Sequence, residues 1–356
     1  MSRPLLPAAV AFSLAIPVAA SAESGPRIVA DIAPVHGLVA RVMEGVGEPA
    51  LLVRPGASPH GYAMKPSEAA ALAEAQAVFL VGPELTPWLV KPVETLAPQA
   101  ARVALLDAPG TLRLPNRVGA TFEPHHHHDG EGHGHGHAHD DHAHDDHAHD
   151  GHAHDDHAHD GHSHDGKADE GHDHAHDHDH AHHHAEGGTD PHAWLDPRNG
   201  KVWLTAIAAE LSRIDPANAS VYAANAAEGA AEIDAAEAEV RAELAELPDL
   251  NFIVFHDAYQ YFEYRFDTTA AGSISLSDAT PPGPARVAEL RAKVSDMKID
   301  CAFTEPQFNP GLLQTVFAGT DAKTAVIDPV GTEIPTGPGF YPALIRSLGA
   351  SLASCR

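Results

Sequence analysis

Residues 215–247 read DPANASVYAANAAEGAAEIDAAEAEVRAELAEL, and this stretch decides the fold. Asp215-Pro216 is a helix start: a side chain able to cap free N–H groups, then a Pro whose missing N–H costs nothing in the first turn. Ala, Glu and other strong helix formers follow without a break. The reading is a helix of roughly 30 residues, about 45–50 Å long. It has no heptads of large apolar residues, which argues against a coiled coil and for a rigid strut between two lobes.

Working outward, both flanks alternate strand and helix. On the N-terminal side, strands are expected at Arg27–Ala30, Ala50–Val53, Ala77–Val81 and Arg102–Leu106, with helices near Pro34–Glu44, Pro66–Ala75 and Thr86–Leu96 between them and Pro197–Ile214 closing the lobe. On the C-terminal side, strands are expected at Asn251–His256, Cys301–Thr304 and Thr324–Asp328, and helices about Pro284–Asp296, Pro310–Gly319 and Tyr341–Ala353. This rhythm makes parallel βα units. The fold class is therefore α/β: lobes at 23–214 and 249–356, joined by one long rigid helix at 215–248.

Inside the first lobe lies a stretch of another kind. Residues 124–187 hold 26 of the 30 histidines, with a five-residue near-repeat in HAHDDHAHDDHAHDGHAHDDHAHDGH from His137 to His162. Almost nothing larger than Ala is apolar there, so the segment cannot bury enough surface to offset chain entropy; it reads as a disordered His/Asp-rich loop inserted in a folded lobe. It also carries most of the charge: His125 to Glu186 contains 17 acidic residues and one Lys, against a whole-chain net of −28. Such acidity excludes nucleic acid as a partner. Imidazole titrates near 6.5, so metal capture by this tract should weaken in mildly acidic medium.

The first residues read as a cleavable export signal: Arg3, an apolar run Leu5–Ala20, and Ala20-Ser21-Ala22 before Glu23, giving a signal over 1–22. No later run of about twenty apolar residues suggests a membrane span. The mature chain is expected in the periplasm. In that oxidising compartment the two cysteines, Cys301 and Cys355, are expected to form one bridge tying the last helix to the sheet, worth roughly 3–4 kcal/mol.

Four histidines lie outside the biased tract. His36 begins a helix. His60 sits in RPGASPHGYAMKPSE after a strand, His256 ends the strand NFIVFH, and His192 stands in DPHAWLDPRN just before a helix. In open α/β sheets ligands bind at the carboxyl ends of strands, and imidazole is a favoured zinc ligand in four-coordinate sites. Each histidine alone also reads as a hydrogen-bonded turn residue; together they read as a metal site. Asp328, ending TAVID, is either a fourth, carboxylate ligand or a turn starter before Pro, with water as its rival for the fourth position.

The segments PGASPHGYAMKPSE, DPHAWLDPRN, FHDAYQYFEYRF, TEPQFNP and DPVGTEIPTG, with a His/Asp-rich insertion before the second, resemble the zinc-specific cluster A-I substrate-binding proteins of the ZnuA type. The resemblance covers nearly the whole mature chain, and FHDAY and DPHAWLDP are its specific motifs. It implies two α/β lobes on a connecting helix, zinc as transported ligand held by His60, His192 and His256, and a monomer that hands zinc to an inner-membrane ABC permease with its cytoplasmic ATPase. The two C-lobe cysteines fit the family's disulfide. Some relatives carry Glu before the first histidine; here it is Pro59.

A zinc hydrolase would need an open coordination position and a general base such as His-Glu-x-x-His supplies. No such pair occurs, and Glu305 in TEPQF, a possible cleft carboxylate, reads as structural when it stands alone, so no catalysis is expected. Two rival readings remain: a periplasmic zinc buffer or metallochaperone acting through the His-rich tract, and uptake of another divalent metal. Manganese prefers more oxygen ligands, whereas nickel and copper suit imidazole as zinc does.

Overall fold

The computed structural model describes residues 25–117, 188–247, 250–275 and 283–355, apart from 284, 286, 289, 290, 293, 295–297, 309, 310 and 312–314. The expected signal and His-rich tract lie outside the described residues.

Two four-stranded parallel sheets form the frame. Strands β1 (Ile28–Ala30), β2 (Ala50–Leu51), β3 (Ala77–Leu80) and β4 (Ala101–Ala104) lie in the order β2-β1-β3-β4. Strands β5 (Phe252–His256), β6 (Gly272–Ser275), β7 (Cys301–Thr304) and β8 (Lys323–Val326) lie in the order β6-β5-β7-β8. Helices α1 (Ala33–Val42), α2 (Pro66–Ala73), α3 (Val90–Leu96) and α4 (Pro197–Ile214) belong to the first sheet; α5 (Ala219–Ala245) leads to the second, which carries α6 (Gln260–Phe266) and α7 (Phe340–Ala353). The helices expected at 284–296 and 310–319 are described only in part and carry no label.

Side chains alternate across each strand and sort the apolar residues into layers. Ile28, Ala30, Ala77, Phe79, Phe252, Val254, Cys301 and Phe303 join one continuous core that also takes in α4, α5 and α7. Their strand neighbours face outward: Val29, Val78 and Leu80 pack in a second cluster, Ile253, Phe255 and Ala302 in a third. The inner faces of both sheets therefore share one core through the helices between them.

The linking helix differs from its expected form in two ways. Its first turn, Pro216–Asn218, is a tight 3₁₀ turn, and the α-helix runs 27 residues from Ala219, about 40 Å. Asp215 Oδ2 also reaches side chains of the turn and helix, accepting from Asn218 Nδ2 (2.7 Å) and Tyr222 Oη (2.8 Å). The helix also buries one stripe of residues, which the sequence reading did not pick out. Tyr222, Ala226, Gly229, Ile233, Ala236, Val240 and Leu244 are buried, a stripe at three- and four-residue spacing in which small residues stand where a coiled coil would have large ones.

Those small residues permit close packing. A methyl group added at Gly229 would lie 2.9 Å from Arg41 Cγ, and one at Gly349 of α7 would lie 2.9 Å from Val240 of α5. Helix α7 also returns toward the first lobe: a methyl at Gly37 of α1 would meet Phe340 at 2.8 Å, and one at Gly200 of α4 would meet Tyr341 Oη at 2.5 Å. Tyr341 Oη donates to Trp194 O at 2.6 Å. The disulfide Cys301–Cys355, with Cα atoms 5.9 Å apart, fastens the end of α7 to β7.

Candidate metal centre

Both sheets present their carboxyl ends to one region. His256 is the last residue of β5, Glu305 follows β7 and Asp328 follows β8, while the loop after β2 carries His60 and the turn before α4 carries His192. His60 is half-buried; His192 and His256 are buried. The fourth histidine outside the tract, His36, serves the core: it is buried in α1, with Nε2 3.0 Å from Pro49 O.

The three candidate rings are neighbours in two pairs about His192. Ring centres lie 5.5 Å apart for His60–His192 and 5.4 Å apart for His192–His256. Two imidazoles on one tetrahedral zinc ion, each nitrogen about 2.0–2.1 Å from the metal, have centres about 5 Å apart. Among the described residues no three His, Cys, Asp or Glu donors already converge on one point, so the rings must turn to share an ion.

Buried carboxyl groups fix which nitrogen each inner ring offers. His192 Nδ1 lies 2.8 Å from Asp190 Oδ1, which also accepts the His192 backbone N–H at 2.9 Å. His256 Nδ1 lies 2.7 Å from Glu305 Oε1. With the carboxyl groups ionised they only accept, so Nδ1 carries the hydrogen and Nε2 is the nitrogen each ring would turn to a metal. This is the carboxylate–histidine arrangement that orients metal-binding imidazoles and raises their basicity. The loop carrying His60 is held one residue earlier, where Trp88 Nε1 donates to Pro59 O at 2.8 Å.

Aromatic side chains wall the site: Trp194 lies 5.2 Å from His192, and Phe308 and Tyr259 lie 5.7 and 6.3 Å from His256, ring centre to centre. Trp194 Nε1 donates to Pro329 O at 2.8 Å, tying the His192 segment to the turn after β8. In that turn Asp328 Oδ1 accepts from the N–H of Val330 (3.0 Å) and Gly331 (3.1 Å), and Oδ2 from Thr332 N–H (2.6 Å). The turn-starter reading is thus realised, and Gly331 stands where φ is +66°, a conformation that favours glycine. With two lone pairs per oxygen, Oδ2 retains one for an ion.

The electrostatics suit a cation. Asp190, Asp257, Glu263 and Glu305 are all buried. Burial, with the negative charge of Asp257 beside it, pushes the Asp190 carboxyl well above the usual carboxylate range; burial likewise raises Asp257 against the pull of Arg117. A dication nearby reverses that preference and favours the ionised forms.

The chain matches the family described as zinc-uptake complex component A, periplasmic (ZnuA), over residues 28–355. It belongs to the ZnuA family. The high-affinity zinc uptake system protein ZnuA of Brucella abortus (strain 2308) is 44% identical over 337 residues, covering 94% of this chain and 93% of that one. The protein of the same name from Paracoccus denitrificans (strain Pd 1222) is 40% identical over 358 residues, covering 100% and 99%. Among solved structures, a crystal structure of ZnuA superposes with a TM-score of 0.65 at 20% identity, covering 93% and 99%. A solute-binding protein, FpvC of Pseudomonas aeruginosa in complex with Mn²⁺, gives 0.68 at 16% identity, covering 93% and 98%. At those identities the likeness to solved structures shows the ZnuA fold and says nothing of which metal this chain takes.

Sequence reasoning missed Asp190 and underrated Glu305. The signal for Asp190 was its place two residues before His192 in TDPHAW, where an Asp side chain reaches back to the N–H two residues on. Glu305, like His256, directly follows or ends a central strand of the second sheet. Asp190→Asn or Glu305→Gln should leave the protein folded and weaken tight zinc binding by about 10- to 100-fold, measured by competition with a chelating dye; unchanged affinity would reduce both carboxyls to packing.

Proposed function

We propose that this chain is the periplasmic zinc-binding component of an ABC uptake transporter, which captures Zn²⁺ between its lobes at His60, His192 and His256. Lobes at 23–214 and 249–356, joined by the 215–248 helix, present the loaded ion to an inner-membrane permease driven by its cytoplasmic ATPase. The chain is exported by a cleavable signal over 1–22 and acts as a monomer. Its role is binding, not catalysis.

One observation carries this reading: three imidazoles from three separate segments lie together, two of them with Nδ1 against buried carboxyl groups. Zinc is favoured by the names of the relatives at 44% and 40% identity, each a high-affinity zinc uptake system protein, and by the imidazole-rich donor set. The fourth position falls to Asp328 Oδ2 or to water. The His-rich tract would raise the local zinc concentration as a tethered, weaker collector.

Cells carrying His60→Ala in place of the native protein should stop growing when free zinc is chelated and recover when zinc, not manganese or nickel, is added back. Growth equal to wild type under chelation would overturn the transport reading.

A further inference from the structure

Two short segments flank residues 118–187, and they pair with each other. Asp190 N–H donates to Leu114 O and Asn116 N–H to Gly188 O, both at 2.9 Å, and Pro115 faces Thr189 in an antiparallel bridge. One arm of this ribbon carries Arg117; the other runs through Asp190 to His192. Arg117 and His192 thus ride on one element of the first lobe.

The second lobe grips that ribbon beside His256. Tyr261 Oη of α6 accepts from Leu114 N–H (2.8 Å) and donates to Asp190 O (2.9 Å). Arg117 reaches further: Nε donates to Asp257 Oδ1 (2.9 Å), Nη1 to Glu263 Oε2 (2.7 Å), and Nη2 to Glu263 Oε1 (3.1 Å) and to Asp257. The side chains are 10%, 7% and 1% exposed for Arg117, Asp257 and Glu263. Burial opposes the guanidinium's charge, but Glu263 and Asp257 outweigh it and hold Arg117 above its ordinary range. A planar fork bonded to two carboxylates fixes orientation as well as distance, and Asp257 is the residue next to His256.

We infer that Arg117 is a positioning residue for zinc: it clamps the ribbon bearing His192 to the turn bearing His256, fixes the spacing of those two rings, and slows release of the ion without touching it. The inference rests on the three-histidine reading. Lobe separation must break a buried, bidentate contact, so the clamp acts on the rate of release more than on capture.

The test is stopped-flow release of zinc from the mature protein loaded with one equivalent and mixed with excess chelator, beside the melting midpoint of each zinc-free variant. Arg117→Gln should speed the slowest phase about 10- to 100-fold, and Arg117→Lys, keeping the charge but not the fork, should fall between. Removing one member of a buried ion group can prevent folding. The combined variant Arg117→Met, Asp257→Asn, Glu263→Gln leaves no buried charge of the group behind, and it should release zinc as fast as Arg117→Gln. Wild-type release from that folded variant, even with a lowered melting midpoint, overturns the inference when His256→Ala abolishes the slow phase. A slow phase that survives His256→Ala overturns the three-histidine reading, and this inference with it.

Discussion

Zinc titrated against His256→Ala should show no tight site. Structural zinc sites bind with about 10–16 kcal/mol shared among four ligands, so one protein ligand carries roughly 3 kcal/mol, a hundredfold or more in affinity. His256 stands to lose most, because its ring is buried at the end of a central strand and set by Glu305 at 2.7 Å. His192→Ala should behave alike, since its ring neighbours both other histidines. Competition with a dye of known affinity reads the loss, and far-UV circular dichroism checks the fold. Tight binding retained in either variant would remove that histidine from the site.

Opening the disulfide should produce the largest change in stability. Cys301 and Cys355 are 54 residues apart, and closing a loop of that length contributes about 4 kcal/mol in the chain-entropy model. The bond also secures α7, whose Phe340 and Tyr341 fill spaces left by Gly37 and Gly200 in the first lobe. Cys301→Ser with Cys355→Ser, or a reductant added to the native protein, should lower the melting midpoint by roughly 10 °C. A midpoint unchanged by reductant would show that packing alone holds the helix.

The βα rhythm was legible because short apolar strands such as Ala77–Leu80 and Cys301–Thr304 stand clear of helices rich in Ala, Leu and Glu. Helix α4 and strand β7 fall on the bounds their residues suggest, Pro197–Ile214 and Cys301–Thr304. Helix α6 and strand β6 were not read. QYFEYRF mixes aromatics that suit strand and helix alike, and GSIS is short and polar, a strand only because β5 pairs with it. The stripe on α5 was hidden for a related reason: Gly229 and Ala236 count as core only once α4 and α7 press against them.

The site divides the same way. His60, His192 and His256 could be singled out by elimination and by their places at strand and helix ends. The groups that orient them could not, because Asp190, Glu305 and Arg117 act through contacts across 2, 49 and 140 residues of sequence. Only the shortest of these leaves a local trace. Asp328 was equally open in the sequence, and its three backbone N–H bonds show the turn role at once.

The most direct test of the three-histidine cleft is a competitive zinc titration of the mature protein beside a variant lacking His125 to His184, with X-ray absorption on the zinc of each. The account predicts one tight equivalent in both forms, a first shell of three imidazoles in the shortened protein, and loss of only the weaker equivalents with the deleted tract. Loss of tight binding from a shortened protein that remains folded would contradict it, and would assign zinc capture to the tract.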